Sequence, residues 1–398
     1  MTKMTPLLAG VRVLDLTRFL AGPFASMLLG DMGAEVIKIE TPGGGDPMRG
    51  MPPYFLEGQS AYFLSINRNK RSMTLDVKAP AGREVFYDLV RVSDVVVENY
   101  RPGVAERLGL DYQTLREINP RIIACSISGF GLVGPHRDRP AFDLVLQAMS
   151  GAMSITGEPG RTPVRMGIPM GDLAGAMYAA QAVSAALYAR ARSGEGACID
   201  LSLLDCLTSL LTYVAQYYLA GSPVPEPVGS HHQSVVPYGV FATADGYLVI
   251  AIFAEKFWGA LCRALKEPEL EADSRFMDQQ ARLEHRDEIM PLLEGIFRGR
   301  TTEEWLDRLE AEGVPCGPVN TVDKVLADPQ IVAREMLVHV DHPLIQGLSM
   351  LGSPVKVAGV SAEYLPPPLL GQHTEMILRE VLKYSDEQIS SLQEAGLL

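Results

Sequence analysis

Short runs of Val, Ile and Leu alternate with amphipathic stretches through the first third of the chain. Val11–Leu16 (VRVLDL) reads as a strand; Ala21-Gly22-Pro23 then opens an apolar helix through Leu29, closed by Gly30 and Gly33. Glu35–Glu40 (EVIKIE), Asp94–Glu98 (DVVVE) and Ile122–Ser128 (IIACSIS) are further strands, and Gly82–Val92 is a helix with apolar Val85, Phe86, Leu89 and Val90. Strands alternating with helices predict an α/β protein with a parallel sheet covered on both faces. From Asp143 onward helices dominate, at Asp143–Ser150, Asp172–Arg192 and Leu203–Ala220, with a short strand at Ala197–Leu201. Gly221–Val228 (GSPVPEPV) carries three prolines and reads as a linker. A second α/β segment follows: a strand at Tyr247–Ile252, then amphipathic helices at Glu255–Leu265, Glu284–Phe297 and Thr302–Glu312. A loop-rich part begins near Gly313 and, after Pro366-Pro367-Pro368, ends in a helix at Thr374–Leu382.

At ~100–200 residues per domain, 398 residues suggest two or three domains. Lys and Arg total 35 against 48 Asp and Glu, a net charge of −13, so the chain has no global basic footprint for nucleic acid or an anionic membrane. The acidic run from Glu267 to Asp273 and the pair Glu303–Glu304 read as a solvated face. Five cysteines, widely spaced and without C-x-x-C, do not fit a disulfide framework or a zinc knuckle. With no signal-peptide pattern and no strongly apolar uncharged run of ~20 residues, the expected location is a reducing cytoplasm. Leu173–Ala189 and Leu201–Gly221 read as buried helices.

Familiar catalytic machinery is missing. There is no G-x-S-x-G elbow, no phosphate loop of the G-x-x-x-x-G-K type, and no G-x-G-x-x-G after the first strand. The seven histidines lack metal-ligand spacing, and His231 and His232 are adjacent, so no metal site is expected. Met166–Gly175 (MGIPMGDLAG) has two readings. Asp172 caps the following helix, or it is a carboxylate nucleophile that bulky substrates reach past Gly167, Gly171 and Gly175. Asn67–Lys78 (NRNKRSMTLDVK) holds Arg68, Lys70, Arg71 and Lys78 against Asp76 alone. It is a solvated turn and strand or a phosphate site. Asn99–Gly103 follows the DVVVE strand at the carboxyl end where α/β sheets bind ligands; Tyr100 there packs at an edge or stacks on a base.

Over nearly its whole length the chain resembles the family III CoA-transferases of the formyl-CoA transferase and carnitine CoA-transferase type. The resemblance is carried by VLDLTRFLAGPFASMLLGDMGAEVIKIE, GGGDPMRG, NRNKRSMTLDVK, VVVENYRPGVAERLGL, GDLAGAMYA, VPCGPVN and PPPLLGQHT. Within the family it looks closest to the succinate–hydroxymethylglutarate branch, on TRFLAGPF, Ser234–Tyr238 (SVVPY) and PPPLLGQHT. The resemblance implies a Rossmann-like large domain, residues 1–220 completed by 326–398. It also implies a smaller α/β domain within 221–325, joined by long linkers, and a homodimer of interlocked rings. It implies that Asp172 is the nucleophile, that Leu75, Lys78, Asn99, Tyr100 and Arg107 line the coenzyme A site, and that Arg18 and Ala21 hold the thioester end. Coenzyme A then enters as acyl-CoA substrate, and no permanently bound cofactor is expected. Backbone N–H groups of the glycines near Asp172 would serve as oxyanion donors. Thr41 stands where better-known members carry arginine, and the glycine-rich lid loop of the oxalate-specific members is missing from residues 219–241, which speaks against oxalate. Phe142 stands where the family's α-methylacyl-CoA racemases have a histidine; a racemase and a non-catalytic CoA-binding protein are the alternatives. With succinyl-CoA as donor and a short dicarboxylic acid as acceptor, Arg18, Arg165 and His231 are the candidate cations for the second carboxylate.

Overall fold

The computed structural model describes residues 5–361 and 363–398. Strands β1 (Arg12–Asp15), β2 (Glu35–Glu40), β3 (Lys70–Thr74), β4 (Val95–Glu98), β5 (Ile123–Ser128) and β6 (Ala197–Ser202) form one parallel sheet in the order 3-2-1-4-5-6. Val13 is paired with Val36 on one side and Val95 on the other. This is the doubly wound Rossmann order, whose ligand crevice lies beyond the carboxyl ends of the strands where the order reverses, here between β1 and β4.

The central strands are near-continuous apolar runs because both faces are covered. Val13, Val95, Val97, Ile123 and Cys125 face a core built with helices α1 (Ala21–Asp31) and α4 (Met170–Ser193). Leu14, Ile37, Met73 and Val96 face the opposite core, completed by Val85, Phe86 and Leu89 of α2 (Pro80–Arg91) and by Ile377, Leu378 and Ile389. Helix α3 (Asp143–Met149) abuts α4.

The basic NRNKRS segment contains β3, whose outer edge is closed by residues almost 300 positions later. Gly371 N–H donates to Ser72 Oγ (2.9 Å), His373 N–H to Ser72 O (2.9 Å) and Thr74 N–H to Thr374 Oγ1 (3.0 Å). The GQHT motif is therefore a cover for a sheet edge.

Several expected elements differ. The single helix expected over 203–220 is two, α5 (Leu203–Ser209) and α6 (Thr212–Leu219), because Thr212 adopts φ +41°. The helix expected from Glu284 starts at Arg286 after a separate helix at Gln279–Glu284, and a further helix occupies Asp386–Glu394. Among the described residues no helix is long and apolar enough to cross a membrane.

The chain divides into two compact units, one holding the sheet (up to Ala152, Arg165–Tyr217 and Gln330–Leu398), the other Met153–Val164 and Tyr218–Pro329. The expected boundaries left 153–164 with the large part. It groups instead with the second unit, where Gly229 N–H donates to Gly157 O (2.9 Å). That unit is a three-stranded antiparallel sheet of β7 (Tyr238–Ala242), β8 (Tyr247–Ala251) and β9 (Cys316–Pro318), packed by Trp258, Leu261, Phe297 and Trp305.

Candidate active site

The crevice loop after β1 is held from below by buried charges. Asp15 accepts from Thr17 N–H (2.8 Å), Ser26 Oγ (2.6 Å) and Lys70 Nζ (3.0 Å). Lys38 Nζ donates to Thr17 O (2.8 Å) and pairs with Asp46 (3.0 Å), while Glu40 takes Arg49 in a two-point grip at 2.7 and 2.6 Å. Desolvating such groups costs several kcal/mol each, so they stay charged only because each is paired. Burial pushes the Asp15 carboxyl up, but Lys38 and Lys70, with the Ser26 and Thr17 hydroxyls, hold it below the usual carboxylate range. On this base Phe19 takes φ +69°, a conformation bulky side chains rarely adopt, and its ring meets Phe142 edge-on at 6.0 Å. Asn99, at the end of β4, uses both halves of its amide on the Arg18 backbone: Arg18 N–H donates to Oδ1 (2.9 Å) and Nδ2 donates to Arg18 O (2.7 Å). The two crevice loops are thereby stitched together.

A cavity of about 300 Å³ opens over this stitch. Leu75, Lys78, Asn99 and Tyr100, expected along the coenzyme A site, line it together with Arg18, which was expected at the thioester end, and with Thr41. The Arg18 guanidinium lies 5.6 Å from the centre of the Tyr100 ring. Arg107 is exposed on the short helix Val104–Leu108, whose Val104 and Leu108 reach the cavity while Arg107 does not. Ala21 is buried at the start of α1 and is likewise no part of the lining.

The Arg68–Arg71 cluster is not a phosphate site. Arg68 is buried against Asp31 (2.9 and 2.6 Å), Lys70 is spent on Asp15, and Arg71 pairs with Glu35. Of the four cations in this run, Lys78 alone is exposed and reaches the cavity.

Asp172 is not the cap of its helix. Helix α4 begins at Met170 and places Asp172 in its first turn, with no side-chain cap from Pro169. The capping carboxylate comes from α3: Asp143 Oδ1 accepts from Gly171 N–H (2.7 Å) and Asp172 N–H (3.3 Å). Gln147 fixes Asp143 through Nε2 (2.6 Å) and takes Met166 N–H on Oε1 (2.9 Å). Gly171 allows this approach, since a Cβ there would lie 2.8 Å from Asp143 Oδ1. Met170 N–H goes to Ile168 O (2.8 Å) and Leu173 N–H to Pro169 O (3.0 Å). Of the glycine N–H groups expected to serve as oxyanion donors, that of Gly171 is thus already committed to Asp143.

The Asp172 carboxylate itself accepts no hydrogen bond and joins no ion pair among the described residues. Burial first, and the Asp143 charge second, push it up to about 7. The Tyr62 phenol is raised by burial and then by the Asp172, Asp143 and Asp46 charges, so it faces the same acidic group. Sequence reasoning missed Tyr62 and the capping role of Asp143. No spacing announces either, because both depend on where α3 and the short helix Ala61–Ser65 are packed.

A carboxylate whose pKa rises on folding contributes stability while protonated, below the ordinary value of 3.8, and loses that contribution as pH climbs through about 7. Asp172→Asn should therefore match the parent chain near pH 4 and exceed it in stability at pH 8, by ~1–2 kcal/mol after allowing for partial solvent screening. Denaturant unfolding at the two pH values checks this; a difference independent of pH would contradict it.

Arg165 is exposed and pairs with no carboxylate among the described residues. His231 belongs to the second unit, packed over Gly239 with its ring edge-on to Phe241 at 6.1 Å and its Nδ1 buried without a hydrogen-bond partner. Among the described residues no group of three or more His, Cys, Asp or Glu could hold a metal ion.

The family model described as CoA-transferase family III matches residues 8–374. A human protein named succinyl-CoA:glutarate CoA-transferase is 42% identical over 392 residues, 98% of this chain and 90% of its own length. A succinyl-CoA:mesaconate CoA-transferase of Haloarcula hispanica is 40% identical over 384 residues, 93% of this chain and 95% of its own. Among solved structures, a CAIB/BAIF family protein from Brucella suis is similar with a TM-score of 0.85 at 38% identity, covering 95% of this chain and all of that one.

Proposed function

Because the chain belongs to CoA-transferase family III, we propose that it moves CoA from succinyl-CoA to a short dicarboxylic acid through a thioester on Asp172. The observation that carries this reading is a half-buried, unpaired carboxylate in the same unit as a cavity lined by Lys78, Tyr100 and Arg18. Asp172 attacks the thioester carbonyl of the donor; the C–S bond breaks, CoA thiolate leaves and a mixed anhydride of succinate and Asp172 remains. The thiolate attacks the aspartyl carbonyl and releases succinate, leaving Asp172 joined to CoA. The acceptor carboxylate then attacks that thioester, thiolate leaves again, and its attack on the new acyl carbon regenerates free Asp172. Each step exchanges one acyl bond for another. The raised pKa makes the ionised Asp172 a stronger nucleophile than an ordinary carboxylate. Binding energy gathered at the nucleotide is available at the reacting carbon.

Incubation with succinyl-CoA and glutarate should yield glutaryl-CoA and succinate by mass spectrometry, and absence of exchange with every acid of a dicarboxylate panel would overturn the reading. A racemase would instead exchange the α-proton of a branched acyl-CoA in deuterium oxide; Phe142 has no titratable proton to do so. A homodimer goes with the proposal, and exposed Tyr188, Tyr213 and Tyr217 support an apolar contact between copies. Light scattering at micromolar concentration tests it.

Lys78 is an exposed cation in the lining of the cavity, as is Arg101, and a charge-assisted phosphate contact is worth ~1.5–3 kcal/mol. Lys78→Ala should raise KM for succinyl-CoA about tenfold or more at low salt, by less as salt increases, with kcat nearly unchanged. An unaltered KM would make Lys78 a solvated surface charge. Thr41 in the lining gives a second cavity position to probe, since Thr41→Arg adds a cation facing the nucleotide.

A further inference from the structure

We propose that Gly396 is a positioning residue for the nucleotide cavity, acting through the carbonyl of Leu397; the inference rests on reading that cavity as the CoA site. One wall of the cavity is the loop Leu75–Lys78 after β3. Its other backbone bonds stay within the loop or continue the sheet: Leu75 N–H goes to Glu40 O of β2 (2.8 Å), Val77 N–H to Leu75 O (3.1 Å), Lys78 N–H to Asp76 Oδ1 (3.0 Å) and Ala79 N–H to Asp76 O (3.3 Å). The exception is Asp76 N–H, which donates to Leu397 O at 2.9 Å. On its other side the loop rests on α2, where a Cβ at Gly82 would lie 2.1 Å from Asp76 O. The peptide that carries Asp76 is thus clamped between the Gly82 backbone and the Leu397 carbonyl, two residues before Lys78.

What aims that carbonyl is the end of helix α7 (Asp386–Glu394). The helix starts in a capping box, Gln388 N–H to Ser385 Oγ (3.3 Å) and Ser385 N–H to Gln388 Oε1 (2.9 Å), and Ile389 anchors it in the core that contains Leu75 and Val77. It ends in a Schellman motif: Gly396 N–H donates to Gln393 O (2.9 Å), Leu397 N–H to Leu392 O (3.0 Å), and Gly396 sits at φ +67°. This left-handed residue reverses the chain so that Leu397 O turns back onto Asp76. No atom lies within 4 Å of a Cβ added at Gly396, so a substitution there acts through backbone conformation alone. Asparagine tolerates this region; a β-branched residue does not.

The expectation is a split in kinetics. Gly396→Val should loosen the wall that carries Lys78 and raise both Kd for CoA and KM for succinyl-CoA, about fivefold for a strain of this size, with kcat held because Asp172 is no part of the cavity lining. Gly396→Asn should stay within about twofold of the parent by tolerating the same φ. Gly82→Ala presses the same peptide from the opposite side and should reproduce the Gly396→Val phenotype.

Calorimetric titration with CoA, steady-state kinetics and thermal unfolding on the full chain carry the test. Weakened CoA binding at constant kcat in the Val variant, rescued by Asn, supports the proposal. Equal CoA affinity in all the variants overturns it and leaves the CoA-site reading intact. Loss of kcat in step with thermal stability, without rescue by Asn, also overturns it, because Gly396 is then a general stability position. A parent chain that binds no CoA removes the site reading itself.

Discussion

Asp172→Ala should lower turnover by at least ~10³-fold, about 4 kcal/mol of barrier, while CoA binding stays within twofold of the parent. The carboxylate is unpaired and lies outside the lining of the nucleotide cavity, so its removal deletes the covalent route and little else. Two further readouts belong to the same residue. Hydroxylamine added with succinyl-CoA should derivatise Asp172 and no other carboxylate. The dependence of kcat/KM on pH should rise through about 7, because the free chain holds this carboxyl protonated below that point and only the ionised form attacks. Asp143→Asn removes the neighbouring charge that contributes to the raised pKa, so the rise should move to lower pH. Turnover near the parent level in the alanine variant would sink the mechanism.

Short dicarboxylic acids should exceed monocarboxylic acids of equal length by ~10²-fold or more in kcat/KM as acceptors. A second carboxylate brought into a partly dry site needs a cation or several donors, since an unpaired buried charge is costly. Arg165 is the cation least committed elsewhere, exposed and free of carboxylate partners among the described residues. Arg18 spends part of its charge against the Tyr100 ring. His231 offers a buried Nδ1 that lacks a partner. Neutralising the responsible one, by Arg165→Gln, Arg18→Gln or His231→Phe, should narrow the preference without abolishing reaction of monoacids. Butyrate or acetate performing as well as glutarate in the parent chain would refute the dicarboxylate assignment and leave CoA transfer standing.

The parallel sheet was legible because β1, β2, β4 and β5 are buried on both faces and read as apolar runs. The edge strand β3 was legible only as one of two readings of a basic run, since Lys70 and Arg71 disguise it: their charges are neutralised by Asp15 and Glu35, which lie 55 and 36 positions away in sequence. The same long-range pairing explains why a basic cluster suggested a phosphate site that Arg68, Lys70 and Arg71 do not form. Asp172 could be singled out from its glycine-flanked motif, but local sequence favoured the cap, and the actual cap, Asp143, comes from a helix 29 positions earlier. Electrostatic partners of this kind are invisible to periodicity, which reports only which face of an element is apolar.

The closure of β3 by Gly371–Thr374 sets a clock on biosynthesis. Ser72 is made about 300 residues before the segment that pairs with it. At ~5–20 residues per second that interval is roughly 15–60 s, far longer than a strand needs to pair. Throughout it the nascent sheet presents a bare edge able to template pairing with other chains.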